Sequence, residues 1–228
     1  MILSADYSQI ELRLLADMAN EKALIEAFKR GEDVHKRTAM EIFGIKEEEV
    51  TEDLRRIGKT LNFALIYMQG PFATAKQLGI EMREAKEFIE KYFNAFKNIK
   101  PYMDTVLKDA HLNEFVETKF GRRRYFQNIN SPNKMLVKEE ERQAFNAVLQ
   151  GTAADIIKIA MINLQEELKE KSYKSRITLQ VHDELVLEVY KPELEAIKTL
   201  VSEKMSSATQ LQVPLTVDIG VGPNWLDL

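Results

Sequence analysis

The chain has 228 residues, 45% of them hydrophobic and 30% charged, which excludes a disordered or low-complexity polypeptide and leaves enough chain to bury a core. With 32 basic against 36 acidic residues the formal charge is −4, so a uniformly basic nucleic-acid coat is excluded but a local basic patch is not. The absence of Cys removes disulfides, thiolate metal sites and Cys nucleophiles, no apolar run approaches the roughly 20 residues of a membrane span, and the start of the chain does not read as a signal peptide.

Ile2 to Ala5 predict a short buried strand that ends at Asp6. Helical periodicity follows in Ile10, Leu12, Leu14, Leu15 and Met18, and again in Leu24, Ile25 and Phe28. A third helical segment covers 33–43 and closes at Gly44. Thr51-Glu-Asp predicts a capped helix start, with the helix running to about Met68 and Pro71 just beyond. Further helices are expected over 82–97 and 101–113, the second opening at Pro101. Phe115-Val-Glu-Thr and Arg124-Tyr-Phe flank Gly121 as a hairpin or sharp turn. A long helical stretch over 137–170 carries an interruption at Gly151. Ile177, Leu179 and Val181 alternate with polar residues, and Leu185, Leu187 and Val189 resume that parity beyond a charged turn. A helix over 192–206 and a strand over 215–219 complete the reading. The fold class is α+β, an antiparallel sheet with a large helical insertion.

Asp6 at a strand end and Asp183 in a hairpin turn could together offer the hard oxygen ligands that Mg²⁺ prefers. Each alone reads first as a solvated acid, as such residues at strand ends and turns usually are. Arg55, Lys59, Phe63 and Tyr67 stand four apart, a slowly turning helical stripe about 18 Å long. Two cations followed by two aromatics suit a phosphate chain and then a base or sugar; the alternative is a solvated basic patch beside two core aromatics. Arg142, Asn146 and Gln150 form a second such stripe, able to donate to base edges and sugars or to serve an internal polar network. Lys119, Arg122, Arg123 and Arg124 are the densest positive cluster and read as a phosphate-facing edge or as a solvated loop. His35, His111 and His182 have no zinc spacing, and neither a P-loop nor a nucleophile elbow occurs.

Together these residues resemble the family A DNA polymerases, those of the bacterial polymerase I type. Asp6-Tyr-Ser-Gln-Ile-Glu-Leu-Arg13 is similar to that family's motif A, the string Arg55 to Tyr67 to its motif B, and Val181-His-Asp-Glu184 to its motif C. Arg142 through Asp155 and Val221-Gly-Pro-Asn-Trp225 are further family-like strings, so the resemblance covers nearly the whole chain in the family order. It implies a DNA-directed DNA polymerase, serving replication or repair, that transfers a nucleoside monophosphate from a dNTP to a primer 3′-hydroxyl. It implies two Mg²⁺ ions on Asp6, Asp183 and the Tyr7 carbonyl, with Glu184 in support. Gln9, His35, Arg55 and Lys59 would meet the incoming triphosphate, and Lys59 could protonate the pyrophosphate. Glu11 would gate against a ribose 2′-hydroxyl, Phe63 would pack on the sugar and Tyr67 near the insertion site. Arg142, Asn146, Gln150 and His182 would touch primer–template DNA in the minor groove.

The same resemblance implies palm over 1–15, fingers over 16–130 and palm again over 131–228. It departs from the family at Ala64 and Met68, where Gly is usual, and at Val148, where Pro is usual. Met68 adds bulk where the template base turns in. The thumb and exonuclease-like domains would precede motif A, so the chain reads as a palm–fingers unit partnered by an N-terminal thumb and palm segment, with no membrane partner. The alternative function is a fragment that binds nucleotide or primer–template but needs that N-terminal half to turn over. The expected location is the cytoplasm, at the nucleoid in a bacterium.

Overall fold

The computed structural model describes residues 1–227. In chain order the elements are β1 (Ile2–Tyr7), α1 (Ile10–Met18), α2 (Lys22–Lys29), α3 (Val34–Phe43), α4 (Glu52–Ile66), α5 (Pro71–Leu78), α6 (Met82–Ala95) and α7 (Ile99–Asn113). There follow β2 (Phe115–Glu117), β3 (Arg123–Tyr125), α8 (Lys134–Glu170), β4 (Arg176–Val181), β5 (Glu184–Glu188), α9 (Leu194–Ser206) and β6 (Val217–Gly222). The expected α+β class is borne out, and the chain divides into two compact units. One holds 1–10 and 152–228, the other 11–151.

The first unit is built on a sheet of order β4-β5-β1-β6, with every neighbouring pair antiparallel. Alternation along β1 sends Leu3, Ala5 and Tyr7 to one face and Ser4 and Asp6 to the other. Leu185 and Leu187 lie opposite Ala5 and Leu3 and so share the apolar face. Helix α9 packs against β1 and β6 with Ile197, Leu200, Val201 and Met205 buried, and the Tyr7 hydroxyl donates to the Met205 carbonyl at 2.7 Å. The second face is polar at its end: Glu184 and Asp218 are the cross-strand partners of Asp6, on β5 and β6 respectively.

One strand departs from its predicted parity. Between Ile177 and Leu179 the register shifts by one residue, so Ile177 faces Leu187 whereas Leu179 faces Val186. The extra residue is Thr178, whose hydroxyl donates to the Val186 carbonyl at 3.0 Å. This bulge flips the rest of β4, leaving Leu179 48% exposed.

The helical unit is packed by aromatic and aliphatic side chains. Phe43 meets Phe88 edge-on at 5.3 Å, Tyr92 meets Phe96 at 4.7 Å, and the Arg13 guanidinium lies 4.5 Å from the Phe28 ring centre. Asp33 caps α3 by accepting from the His35 and Lys36 N–H groups, and Thr51 caps α4. Helix α5 was not expected. Pro71, just beyond the expected end of α4, occupies the first turn of a new helix, where a missing N–H costs nothing. Strands β2 and β3 pair antiparallel around Gly121, as the hairpin reading anticipated.

The interruption expected at Gly151 is also overturned, because α8 runs through it without a break. The glycine serves a close approach instead. Arg122 donates from Nη2 to the Gly151 carbonyl at 2.9 Å, and a Cβ there would stand 2.7 Å from Thr118 Cγ2 and 3.2 Å from Arg122 Nη2. Gly151→Ala is therefore expected to lower stability by about 1 kcal/mol, the overpacking outweighing the helix-propensity gain. Urea denaturation checks it, and an unchanged or higher midpoint would refute the close-packing argument. By length and mean composition α8 is also apolar enough to cross a membrane, although polar residues interrupt it and Phe145, Leu149, Ile156, Ala160 and Leu164 along it are buried in the protein.

Candidate active site

In the sheet unit, three of the nominated acids converge. Asp6 stands at the end of β1, Asp183 in the two-residue turn between β4 and β5, and Glu184 across the strand from Asp6. The turn is pinned to β1 by a hydrogen bond from the Tyr7 N–H to the Asp183 carbonyl, 3.2 Å. His182, exposed beside Asp183, holds φ at 53°, in the left-handed region uncommon for residues other than glycine. Gln180 Nε2 donates to its carbonyl at 2.6 Å. Gln9, just past the strand, is likewise at φ 54°, and its Oε1 is buried without a hydrogen-bond partner among the described residues.

Electrostatics mark the same point. The Asp6 residue keeps much of its surface open, yet its carboxyl is recessed enough for lost hydration to raise its pKa, and Asp183, Glu184 and Asp218 add repulsion. The result is a pKa pushed up from 3.8 to about 6. Asp218 was missed in the sequence, where it is one acid in a short C-terminal strand; only the strand register places it beside Asp6. Among the described residues no group of three or more His, Asp or Glu side chains is arranged to enclose an ion unaided. Two carboxylates whose mutual repulsion a cation would relieve do fit Mg²⁺, which completes its shell with water and phosphate oxygens.

In the helical unit, α4 presents the predicted stripe. Gly58, Leu61, Asn62, Ala64, Leu65 and Ile66 are buried, while Arg55 and Phe63 are half-buried and Lys59 is exposed. Arg55 Nε donates to Asp33 Oδ2 at 2.7 Å. Despite burial, that bond and the N–H groups of Lys36 and His35 hold the Asp33 carboxyl below its ordinary pKa. Lys59 makes no ion pair among the described residues. His35 is 3% exposed, its ring 5.9 Å from that of Phe63. Its Nδ1 lies 3.0 Å from Asn62 Nδ2, so the amide donates and His35 is the neutral Nε2–H tautomer. Tyr67 caps α4, and its hydroxyl donates to Glu11 Oε2 at 3.2 Å. Arg142, Asn146 and Gln150 share one side of α8. Arg142 is exposed and paired with Glu139, Gln150 is exposed, and Asn146 Oδ1 is buried without a hydrogen-bond partner among the described residues.

The predicted basic edge is largely engaged within the protein. Lys119 pairs with the buried Asp17 at 2.8 Å, Arg123 with Glu117 at 2.8 Å, and Arg124 donates to Gln143 at 2.9 Å. Its main visible use is thus to fasten the hairpin.

Helix α4 ends in a left-handed turn at Met68, φ 48°, where Met68 N–H bonds the Leu65 carbonyl (3.1 Å) and Gln69 N–H that of Ala64 (2.7 Å). Glycine suits this position, so Met68→Gly is expected to raise stability by about 1 kcal/mol. Guanidinium denaturation tests this; a fall in midpoint would mean that Met68 packing outweighs its backbone strain.

The family model described as DNA polymerase family A matches residues 1–227. DNA polymerase I of Geobacillus stearothermophilus is 48% identical over 227 residues, covering 100% of this chain and 26% of that protein. The Pseudomonas aeruginosa DNA polymerase I is 46% identical over 224 residues, 98% of this chain and 24% of that protein. Among solved structures, the polymerase domain of Pol1 from M. smegmatis, in complex with DNA primer–template and dNTP, superposes with a TM-score of 0.94 at 42% identity, covering 98% of this chain and 40% of that one. The chain thus spans about a quarter of the length of the curated relatives it matches.

Proposed function

The chain belongs to DNA polymerase family A, and from that premise we propose that it is the palm–fingers unit of a DNA-directed DNA polymerase. It transfers a nucleoside monophosphate from a dNTP to a primer 3′-hydroxyl, with palm over 1–15 and 131–228 and fingers over 16–130. The observation that carries this reading is the convergence of Asp6, Asp183 and Glu184 at one end of the sheet, where lost hydration first, and then the charges of Asp183, Glu184 and Asp218, raise the Asp6 pKa to about 6. Asp6, Asp183 and the Tyr7 carbonyl would hold two Mg²⁺ ions, which supply activation of the 3′-hydroxyl and neutralise charge on the departing pyrophosphate.

The remaining work falls to the side chains. Arg55 and Lys59 bind the triphosphate, and Lys59, without an ion pair among the described residues, delivers a proton to the leaving pyrophosphate. The neutral His35 donates from Nε2, and Gln9 lies near the nucleotide. Phe63 packs on the sugar, and Tyr67 stands near the insertion site. The Tyr67–Glu11 bond supports Glu11 as a wall against a 2′-hydroxyl. Glu11→Ala is expected to admit ribonucleotides, read as incorporation of rNTP relative to dNTP; unchanged discrimination would refute the wall. Arg142, Asn146, Gln150 and His182 contact primer–template DNA in the minor groove, where near-uniform acceptors check shape without selecting sequence. Asn146 Oδ1, without a hydrogen-bond partner among the described residues, suits a base amino group. The setting is the cytoplasm, at the nucleoid in a bacterium.

Primer extension with Mg²⁺ and dNTPs tests the reading in two arms, the chain alone and the chain with an N-terminal thumb and palm segment from a relative. Extension in either arm supports it, and extension only in the second assigns this chain half of an assembled site. Extension in neither arm overturns it.

A further inference from the structure

Glu184 sits one strand from Asp6 on the same face of the sheet, close enough to add repulsion to it. A mobile carboxylate there would swing onto any divalent cation held by Asp6 and Asp183. A third carboxylate on the ion would take a coordination position that phosphate or hydroxyl oxygen needs.

The fold ties that side chain back. Glu184 Oε1 accepts hydrogen bonds from the Ser4 hydroxyl and from the indole Nε1 of Trp225, the latter at 3.1 Å. Ser4 is 9% exposed and stands two residues before Asp6 on the same face of β1. Since Glu184 lies opposite Asp6, a bond back to Ser4 draws its carboxylate along the strand, away from the end that carries Asp6 and the Asp183 turn.

The C-terminal segment is shaped to deliver the second donor. Asn224 Oδ1 accepts from the Leu226 and Asp227 N–H groups at 2.9 and 3.2 Å, and its Nδ2 donates to Asp227 Oδ2 at 2.7 Å, closing a short 3₁₀ turn over Trp225–Asp227. Gly222 lets the chain double back, because a Cβ there would stand 3.0 Å from the Asp227 carbonyl oxygen and 3.1 Å from that of Asn224. Trp225 itself remains 48% exposed, so burial alone does not account for its placement.

We propose that Trp225 and Ser4 are positioning residues that park the Glu184 carboxylate beside the cation site while keeping it from becoming a ligand. This rests on the metal-dependent reading above. Its consequence is that loss of the indole N–H releases a charge toward the ion.

The test is a Mg²⁺ titration of the full chain followed by thermal unfolding, without nucleotide or DNA. In Trp225→Phe the Mg²⁺ concentration giving half-maximal stabilisation is expected to fall roughly tenfold, and Ser4→Ala to move it the same way. In a Glu184→Gln background, where there is no charge to release, Trp225→Phe is expected to change nothing, a non-additivity that a merely structural tryptophan would not produce. An unchanged midpoint in both single variants, or an equal shift in the Glu184→Gln background, overturns the proposal while leaving the metal reading intact. No Mg²⁺ response in the parent chain overturns the metal reading, and the proposal with it. Because Trp225 is the sole tryptophan, Mn²⁺ is expected to quench the parent chain's emission and to fail to do so in Asp183→Asn; emission indifferent to Mn²⁺ in the parent overturns the proposed proximity.

Discussion

Replacing Asp6 with Asn is expected to silence nucleotidyl transfer and at the same time to stabilise the cation-free chain. The loss of extension is about three orders of magnitude or more, equivalent to about 4 kcal/mol of transition-state stabilisation, because one of two anionic ligands is gone. The gain in stability follows from the acidic row. Recession of its carboxyl and the charges of Asp183, Glu184 and Asp218 raise the Asp6 pKa from 3.8 to about 6. A carboxyl with a raised folded-state pKa costs nothing below pH 4, where it is protonated in both states. The cost grows as pH climbs from about 4 to about 6 and is fully present above that. Two pKa units would amount to about 3 kcal/mol, but Asp6 is largely open to solvent, so screening reduces the figure to about 1 kcal/mol. Asn removes this term, and the stability difference between variant and parent should vanish at pH 4. Mg²⁺ should reverse the order by stabilising the parent alone. Denaturation in EDTA at pH 4 and 7, repeated with Mg²⁺, measures all of this. A variant less stable than the parent at pH 7 in EDTA would show that the row carries no repulsion of consequence. Asp183→Asn is expected to lose extension equally with the fold intact.

This trade between stability and a charged site also governs what could be read from the sequence. The short apolar run Ile2 to Ala5 and the alternation of Leu185, Leu187 and Val189 announced buried strands, and the four-residue spacing of Arg55, Lys59, Phe63 and Tyr67 announced one side of α4, because these signals are local. Strand order is not local. Nothing in the spacing of Asp6 and Asp218 reveals that they are cross-strand neighbours, and so Asp218 went unseen until the register was known. The Thr178 bulge was hidden for a related reason, since one extra residue leaves the composition of a strand unchanged while flipping its parity. Pro71 and Gly151 misled because each residue type serves two purposes. Proline both ends and begins helices, and glycine both breaks a helix and lets a neighbouring side chain reach its backbone. Trp225 was visible as part of a family-like string, but its bond to Glu184 depends on the turn that Asn224 closes.

His35 is expected to make the helical unit sensitive to acid. It is 3% exposed, and burial is the main cause of a pKa pushed down from 6.5 to about 4; Asp33 opposes the shift, while the positive charges of Arg55 and Lys59 add to it. The folded protein therefore keeps the ring neutral, with Nδ1 accepting from Asn62, whereas the unfolded chain takes up a proton as soon as pH falls below about 6.5. Stability is unaffected above that pH and declines as it drops from about 6.5 toward 4, by about 3 kcal/mol over the window. Asp33, whose oxygens two helix N–H groups and Arg55 already engage, offsets only part of this. His35→Gln keeps an acceptor for Asn62 and has no proton to gain, so its stability should run nearly flat over the interval in which the parent's falls. Urea midpoints at half-unit steps from pH 7.5 to 4.5 provide the comparison. Parallel curves would mean that His35 takes its proton inside the fold, and that the imidazole facing Phe63 is a cation at the pH where the parent weakens. The same neutrality bears on the proposed function, because an uncharged ring near Arg55 and Lys59 adds nothing to the repulsion between those two cations.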